Sequence, residues 1–142
     1  MPGPLDGIRI LDLSAVISGP YGTMILADQG ADVIKVEPPG RGDFTRSAGN
    51  KSGGMSASFL NNNRNKRSIT LDLKSPAGLN IVKRLAAISD VVVQNFRPGV
   101  VERLGVGEED LRKIKPDLIY VSISGFGEEG PFCDRPVYDP IV

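Results

Sequence analysis

Basic side chains crowd one stretch of this sequence. Positions 41 to 74 hold seven lysines and arginines against two aspartates, although the whole chain carries 17 basic and 17 acidic residues. The seven basic residues are Arg41, Arg46, Lys51, Arg64, Lys66, Arg67 and Lys74. Clustered cations can hold phosphate groups, whereas a solvated loop face is the simpler explanation for any one of them. The stretch therefore predicts a site for a polyanionic small molecule, with a solvent-facing loop as the alternative.

A second polar group follows a β-branched run, in the segment VQNFRPG at residues 93–99. Asn95 and Arg97 supply directed donors that could fix a phosphate or an amide, and Phe96 could stack on a purine ring. Arg103 follows in a predicted short helix. The alternative is a polar strand exit with a buried phenylalanine, and spacing alone does not separate the two.

Acid–base and nucleophilic groups are scarce. The chain has no histidine, which excludes serine triads and histidine bases within its 142 residues, and Cys133 has no partner base in the sequence. Gly125 and Gly127 could present backbone N–H groups to a developing oxyanion, although glycines also simply end strands. Asp139, beside Tyr138, is the most notable carboxylate near the end of the sequence, and a structural role is its simpler explanation.

Five largely apolar, β-branched runs must position these residues. They are residues 8–13, 32–37, 68–73, 90–96 and 118–124. Such runs are typical of parallel strands covered on both faces. Helical patterns occupy residues 21–29, 75–89 and 108–115. In the second of them Ser75 is the expected N-cap, followed by Pro76 in the first helical position. The pattern predicts an α/β fold with an open, doubly wound, Rossmann-like parallel sheet and flanking helices.

The carboxyl ends of these strands are the expected ligand site, because open α/β sheets bind ligands there. The first strand runs into small residues at 14–20 and then a helix whose free N–H groups could face an anion. Glu37 ends the second strand, where an NAD enzyme has a ribose-binding acid, but Gly19 and Gly22 do not complete the dinucleotide fingerprint. NAD binding is the lesser alternative. Some thirty residues between Glu37 and Ser68 lack periodicity and predict a functional loop.

Composition limits the class of partner. With 40% hydrophobic and 24% charged residues the chain resembles one globular domain, and its zero net charge gives no basic excess for nucleic acid. No run of about 18 apolar residues indicates a membrane span. The single cysteine excludes an internal disulfide and, without a Cys/His ligand set, gives no sign of zinc. We expect a cytoplasmic protein with a small-molecule partner and no metal, nucleic acid or membrane.

Five segments, taken in order, resemble the opening of class III CoA-transferases of the CaiB/BaiF type. They are PLDGIRILDLS, SGPYGTMILADQGADVIKVEPPGRGDFTR, NNNRNKRSITLDLKSPAG, NFRPGVVERLG and SISGFGEEGPF. The family includes formyl-CoA:oxalate and carnitine CoA-transferases and the α-methylacyl-CoA racemases. The resemblance implies that residues 1–142 are the N-terminal, CoA-binding, Rossmann-like part of the large domain of an interlocked homodimer. It also implies transfer of coenzyme A from an acyl-CoA to a carboxylic acid through a covalent aspartyl intermediate, whose aspartate lies beyond Val142.

The resemblance further implies roles for individual residues. Those that match the family's CoA contacts are Val16, Ile17, Leu71, Lys74, Asn95, Phe96, Arg97 and Arg103. Some members carry an arginine just after the second strand, where this chain has Pro38 and Pro39, so phosphate binding there would fall to Arg46 or Arg41 or be absent.

The reaction type depends on one further position. Tyr138 stands where the family's racemases place a histidine, and an unperturbed tyrosine, with a pKa of about 10, is a poor base at neutral pH. A packing role for Tyr138 is the alternative. The sequence thus predicts a transferase with Tyr138, Gly125 and Gly127 in supporting roles. A racemase and a non-catalytic nucleotide-binding fragment are the other hypotheses.

Overall fold

Five parallel strands form the main sheet of the computed structural model, which describes residues 3–137. In chain order the strands are β1 (Arg9–Asp12), β2 (Asp32–Glu37), β3 (Lys51–Ser52), β4 (Met55–Ser56), β5 (Lys66–Thr70), β6 (Val91–Gln94) and β7 (Ile119–Ser122). The main sheet has the order β5-β2-β1-β6-β7, so the chain builds outward from β1 in both directions. The short β3 and β4 form a separate antiparallel hairpin. The predicted α/β class with a parallel sheet is confirmed.

Helices connect the strands of the main sheet. They are α1 (Ser18–Asp28), α2 (Ala57–Asn63), α3 (Pro76–Ala87), α4 (Val100–Leu104) and α5 (Glu108–Arg112). The predicted start of α3 is confirmed, because the Ser75 Oγ accepts a hydrogen bond from the Gly78 N–H at 3.0 Å and Pro76 opens the helix. A 3-10 turn covers Phe44–Arg46. Within residues 3–137, no helix is long and apolar enough to cross a membrane.

The sheet is covered on two faces, as the apolar strands predict. On one face Leu11 packs in a core with Val82 of α3 and Leu111 of α5. On the other face Ile10 packs with Ala27 of α1. Successive strand residues point to opposite faces, so the residues two positions beyond Ile10 and Val33, which are Asp12 and Lys35, lie on the α1 face near the carboxyl edge.

Several predicted boundaries were wrong, each for a local reason. The strand predicted at residues 68–73 is β5 at Lys66–Thr70, because Lys66 is tied into the interior and the chain turns at Asp72, whose Oδ1 accepts the Lys74 N–H at 2.9 Å. Helix α1 begins at Ser18, ahead of the predicted residue 21, since a proline in the first turn costs no hydrogen bond. The long connection holds the hairpin and α2, which are too short to show periodicity.

One edge strand leaves apolar side chains uncovered. Tyr120 of β7 packs on the α3 face, whereas its neighbours Ile119 and Val121 point the other way and are 57% and 37% exposed. Helix α1 packs on that face against β1, β2 and β6. Among residues 3–137 the outer side of β7 pairs with no further strand.

Candidate functional site

A cleft opens at the carboxyl edge of the sheet between β1 and β6. The strand order reverses at this point, which is where open α/β sheets bind their ligands. Its volume is about 770 Å³, within the range of about 300–1,000 Å³ of small-molecule sites. Three segments line it: residues 16–18, residues 95–98, and a segment after β7 that includes residues 123–125 and 135–137. Five predicted contact residues thus meet in one cleft: Val16, Ile17, Asn95, Phe96 and Arg97.

Three side chains hold the backbone of the loop between β1 and α1, and two of them, Lys35 and Asn95, come from distant segments of the chain. The Asp12 Oδ1 accepts the Ser14 N–H at 3.0 Å, and the Lys35 Nζ donates to the Ser14 carbonyl at 2.9 Å. The Asn95 side chain holds both backbone groups of Ala15, accepting its N–H at 2.9 Å and donating to its carbonyl at 2.8 Å. The amide of Asn95, predicted to contact the ligand, therefore ties the loop to the end of β6.

Val16 occupies a strained backbone conformation in this loop. Its φ of +70° lies in the left-handed region, where a β-branched residue is a genuine outlier. Such a conformation costs about 1–3 kcal/mol and persists only where its surroundings fix it. The Val16 N–H donates to the Asp43 Oδ2 at 3.3 Å. Hydrogen bonds on both sides of Ala15 hold the loop in this conformation, with Val16 and the 42%-exposed Ile17 at the cleft.

Two buried ion pairs lie beneath the loop on the α1 face. The Lys35 Nζ is 2.9 Å from the Asp43 Oδ2, and the Lys66 Nζ is 3.0 Å from the Asp12 Oδ2. Burial works to raise the pKa of Asp43, but hydrogen bonds from Lys35 and Thr45 outweigh it and the pKa is lowered. Burial lowers the pKa of Lys66 even though Asp12 opposes this. These charges are neutralised internally, so they support the loop and do not face a ligand.

A third ion pair closes the end of β2. Arg46 donates to both carboxylate oxygens of Glu37, from Nε at 2.6 Å and from Nη2 at 2.7 Å. Glu37 also accepts the Ser68 hydroxyl at 2.6 Å and the Asp43 N–H at 2.8 Å. The Arg46 guanidinium lies over the Phe59 ring, 3.8 Å from its centroid. Burial works to raise the pKa of Glu37, yet these hydrogen bonds and the charge of Arg46 lower it to about 2.

This closed end of β2 bears on two predictions. Phosphate binding by Arg46 stays a prediction, but a phosphate would have to share the guanidinium with Glu37. Both oxygens of Glu37 are already occupied, so it is not poised to accept ribose hydroxyls. The NAD alternative therefore gains no support from the acid at the end of β2.

The local excess of positive charge is largely neutralised in three dimensions. Four of the seven basic residues between positions 41 and 74 pair with acids from outside that stretch. The pairs are Arg46–Glu37, Arg64–Asp28, Lys66–Asp12 and Arg67–Asp32. Arg41, Lys51 and Lys74 form no ion pair within residues 3–137. The predicted polyanion site thus retains three of its seven cations.

The other predicted contact residues lie outside the cleft. Leu71 follows β5 and is buried in the core, and Lys74 is exposed just before α3. Strand β5 lies two places from β1 in the sheet, roughly 10 Å away. Arg103 is exposed on α4, with its guanidinium folded back toward Gly99. Only an elongated ligand could reach both the cleft and the end of β5.

The two glycines after β7 have separate structural explanations. A Cβ on Gly125 would lie 2.4 Å from the Val137 side chain, so glycine permits the close approach that closes this segment beside the cleft. Gly127 has a φ of +82°, which favours glycine, and open space beside its Cα. Their oxyanion role stays a prediction. Tyr138 and Asp139 lie outside the described residues.

Sequence reasoning missed several residues of the site. Cys133 and Arg135 line the cleft, with the Arg135 guanidinium 4.5 Å from the Phe132 ring centroid, and no pattern indicated that this segment folds back. The buried ion pairs did have a signal. Lys35 and Asp12 interrupt apolar strands, and a charge buried in such a strand requires a partner.

The parallel sheet with a cleft at its switch point defines a Rossmann-like α/β domain. The family model described as CoA-transferase family III matches residues 5–142, and the chain belongs to this family. The resemblance stated from the sequence is confirmed.

Similar proteins agree on the family. The chain is 52% identical over 140 residues to the succinyl-CoA:glutarate CoA-transferase of Mus musculus, covering 98% of this chain and 32% of that protein. It is 50% identical to the acetyl-CoA:oxalate CoA-transferase of Acetobacter aceti, covering 99% and 36%. The crystal structure of a CAIB/BAIF family protein from Brucella suis superposes with a TM-score of 0.92 at 44% identity, covering 98% and 38%. The chain spans about a third of the length of these relatives.

Proposed function

We propose that the protein to which this chain belongs binds coenzyme A in the cleft between β1 and β6 and transfers it from an acyl-CoA to a carboxylic acid. Family membership and the names of the relatives support the reaction. One observation supports the location of the binding site. Val16 and Ile17 follow one strand, Phe96 and Arg97 follow its neighbour, and all four line a single cleft at the switch point of the sheet.

Coenzyme A suits this surface because it is long, with phosphates at one end and, toward the other, an arm that carries methyl and methylene groups between its amides and ends in a thiol. Val16, Ile17 and Ile123 offer apolar contact to the arm, and Arg97 and Arg135 offer donors to the phosphates. Arg97 has no ion pair within residues 3–137, so it loses no internal partner on binding. Lys74, roughly 10 Å along the sheet edge, would meet a phosphate at the far end of an extended ligand.

Covalent chemistry falls outside this chain in our proposal. Asp43, which contacts the loop, and Glu37, which contacts Asp43, are tied to cations and backbone groups, which leaves neither poised as a nucleophile. We assign the acyl-accepting role to an aspartate beyond residue 142, as the resemblance implies. The residues of this chain would hold coenzyme A in place while its acyl group is exchanged.

The acceptor we propose to test first is a small dicarboxylic acid, because the relatives are named for glutarate and oxalate. An interlocked homodimer and a cytoplasmic location stay predictions. Light scattering of the full-length protein tests the first, and fractionation of the source cells tests the second.

Calorimetric titration of the full-length protein with coenzyme A and with NAD, each at two ionic strengths, tests the binding site. We expect coenzyme A to bind, with an affinity that falls as salt rises because basic side chains meet its phosphates. NAD is expected not to bind. Equal affinities for the two ligands, or no binding of coenzyme A, would overturn the assignment.

The reaction is tested by incubating the full-length protein with succinyl-CoA and either glutarate or oxalate, with mass spectrometry of the products. Formation of the acceptor's CoA thioester is the expected result. A parallel incubation of 2-methylacyl-CoA in D₂O without an acceptor addresses the racemase alternative. Rapid deuterium exchange at the α-carbon without transfer would replace the transferase proposal with a racemase.

A further inference from the structure

We propose that the buried Lys35–Asp43 ion pair positions the loop between β1 and α1 for coenzyme A, by holding Val16 in its left-handed conformation at the cleft. This inference rests on the proposed function, since it concerns the affinity of that same site. Neither residue touches the cleft, so both are positioning residues that act through the loop.

Each partner of the pair makes a bond to the loop as well as to the other partner. The Lys35 Nζ donates to the Ser14 carbonyl at 2.9 Å, and the Asp43 Oδ2 accepts the Val16 N–H at 3.3 Å. The pair itself is 2.9 Å long, and its two side chains are 2% and 1% exposed. Together they hold one backbone group on each side of Ala15, whose own two groups are held by Asn95.

The pair is itself held in place from the other side. The Asp43 Oδ1 accepts the Thr45 N–H at 2.9 Å and the Thr45 hydroxyl at 2.7 Å, and the Asp43 N–H donates to Glu37 at 2.8 Å. Glu37 is fixed by Arg46. A continuous set of hydrogen bonds therefore runs from the closed end of β2, through Asp43, to the residue at the cleft with the strained backbone.

Stability alone does not explain a buried pair of this kind. Replacing a buried ion pair by uncharged residues of similar volume is often neutral or stabilising, whereas removing one partner is damaging. A buried ion pair that also bonds to a strained loop can fix the backbone conformation of that loop. Strained backbone collects at ligand-binding sites for this reason.

The test is a charge-free double variant of the full-length protein, Lys35→Met with Asp43→Asn. This variant leaves no buried charge unpaired. The amide oxygen introduced at position 43 can still accept hydrogen bonds from Thr45. The bonds from Lys35 to the Ser14 carbonyl and from the Val16 N–H to Asp43 are both lost. We expect a melting temperature close to that of the wild type and a dissociation constant for coenzyme A that rises about tenfold, which corresponds to about 1.4 kcal/mol. The salt dependence of binding should stay unchanged, because the arginines at the cleft remain.

Asp32→Asn is the matched control. Asp32 also pairs with basic residues, but it lies partly exposed at the amino end of β2, away from the cleft. This variant should bind coenzyme A as the wild type does. A folded double variant with wild-type affinity would overturn the inference while leaving the proposed function intact.

Amide hydrogen exchange of the wild-type protein gives a second, independent measurement. A preorganised loop predicts protected Ala15 and Val16 amides in the free protein, with little further protection when coenzyme A is added. Rapid exchange that slows only on binding would overturn the inference even if the double variant does not fold. Failure of the wild type to bind coenzyme A would overturn the proposed function instead, while protected amides in the free protein would still support the positioned loop.

Discussion

Two regions at the same edge of the sheet differ in whether their charged side chains form internal ion pairs. In the closed corner, which comprises Asp12, Lys35, Glu37, Asp43, Arg46 and Lys66, every charge is paired internally. On the open rim, which comprises Arg97 and Arg103, the guanidiniums form no ion pair within residues 3–137. The comparison teaches that residue type alone does not identify a ligand contact. We expect the loss of a single charge in the closed corner to lower stability, because it leaves the partner charge unpaired, and variants of the open rim to change affinity for coenzyme A.

The largest expected effect is the loss of a carboxylate in the closed corner. Asp12→Asn leaves the Lys66 cation buried without its partner, and the free energy of unfolding should fall by about 3–5 kcal/mol. Urea denaturation measures it. The matched control is Asp32→Asn, a partly exposed carboxylate whose loss should cost less than about 1 kcal/mol. If Asp12→Asn and Asp32→Asn lower the free energy of unfolding by the same amount, burial of the ion pair does not determine its contribution to stability.

The next effect depends on pH. The pKa of Glu37 is lowered from 4.5 to about 2 in the folded protein, so its stabilisation is complete above the ordinary value and is lost as the pH falls from about 4.5 through about 2. Glu37→Gln should therefore lower the free energy of unfolding by on the order of 3 kcal/mol at neutral pH. The difference from the wild type should shrink over that acid range. Denaturation curves at several pH values measure it, and a difference that is constant with pH would contradict the prediction.

A smaller effect, on affinity alone, is expected at the open rim. Arg97→Gln would remove the charge-assisted hydrogen bonds that we propose between Arg97 and a phosphate, which are worth about 1.5–3 kcal/mol, so the dissociation constant for coenzyme A should rise at least about tenfold. Its free energy of unfolding should stay within about 0.5 kcal/mol of the wild type, because Arg97 is exposed and unpaired within residues 3–137. Calorimetry and denaturation on the same samples check both. If Arg97→Gln lowers the free energy of unfolding but leaves the affinity for coenzyme A unchanged, the open rim contributes to stability and not to binding, which would contradict the prediction.

The smallest effect is expected at Arg67, which belongs to the basic stretch but to neither region. Its ion pair with Asp32 is exposed, so Arg67→Gln should cost less than about 1 kcal/mol of stability and leave the affinity for coenzyme A unchanged. This variant also serves as the charge-matched control for Arg97→Gln. A tenfold loss of affinity would show that the local charge excess attracts the ligand as a whole.

The sequence was sufficient to predict where the two halves of the cleft come from. Apolar runs separated by helical patterns indicate a parallel sheet, and the carboxyl ends of parallel strands share one edge. This reasoning brought residues 14–20 and 95–97 to the same edge. It could not predict the order of the strands. Without knowing that β5 lies beside β2, no pattern reveals that Lys66 reaches Asp12, 54 residues away.

The conformation of Val16 was also beyond prediction. Nothing in the residue type suggests a positive φ, since valine disfavours it. Asp43 and Asn95, which bind the backbone N–H groups of Val16 and Ala15, come from different parts of the chain and meet only in the folded protein. The interrupted apolar runs at Asp12 and Lys35 were the visible signal of a buried polar group in this corner, although not of the groups that pair with them.

The bare face of β7 has a practical consequence for work with residues 1–142 in isolation. Within residues 3–137 the outer side of β7 pairs with no strand, and an edge strand of this kind with exposed Ile119 and Val121 can template pairing with a second chain. Preparations of this piece alone should therefore lose material to precipitation as concentration and temperature rise. A lysine at position 119 is the simplest solubilising substitution, because a charge on an edge strand discourages such pairing.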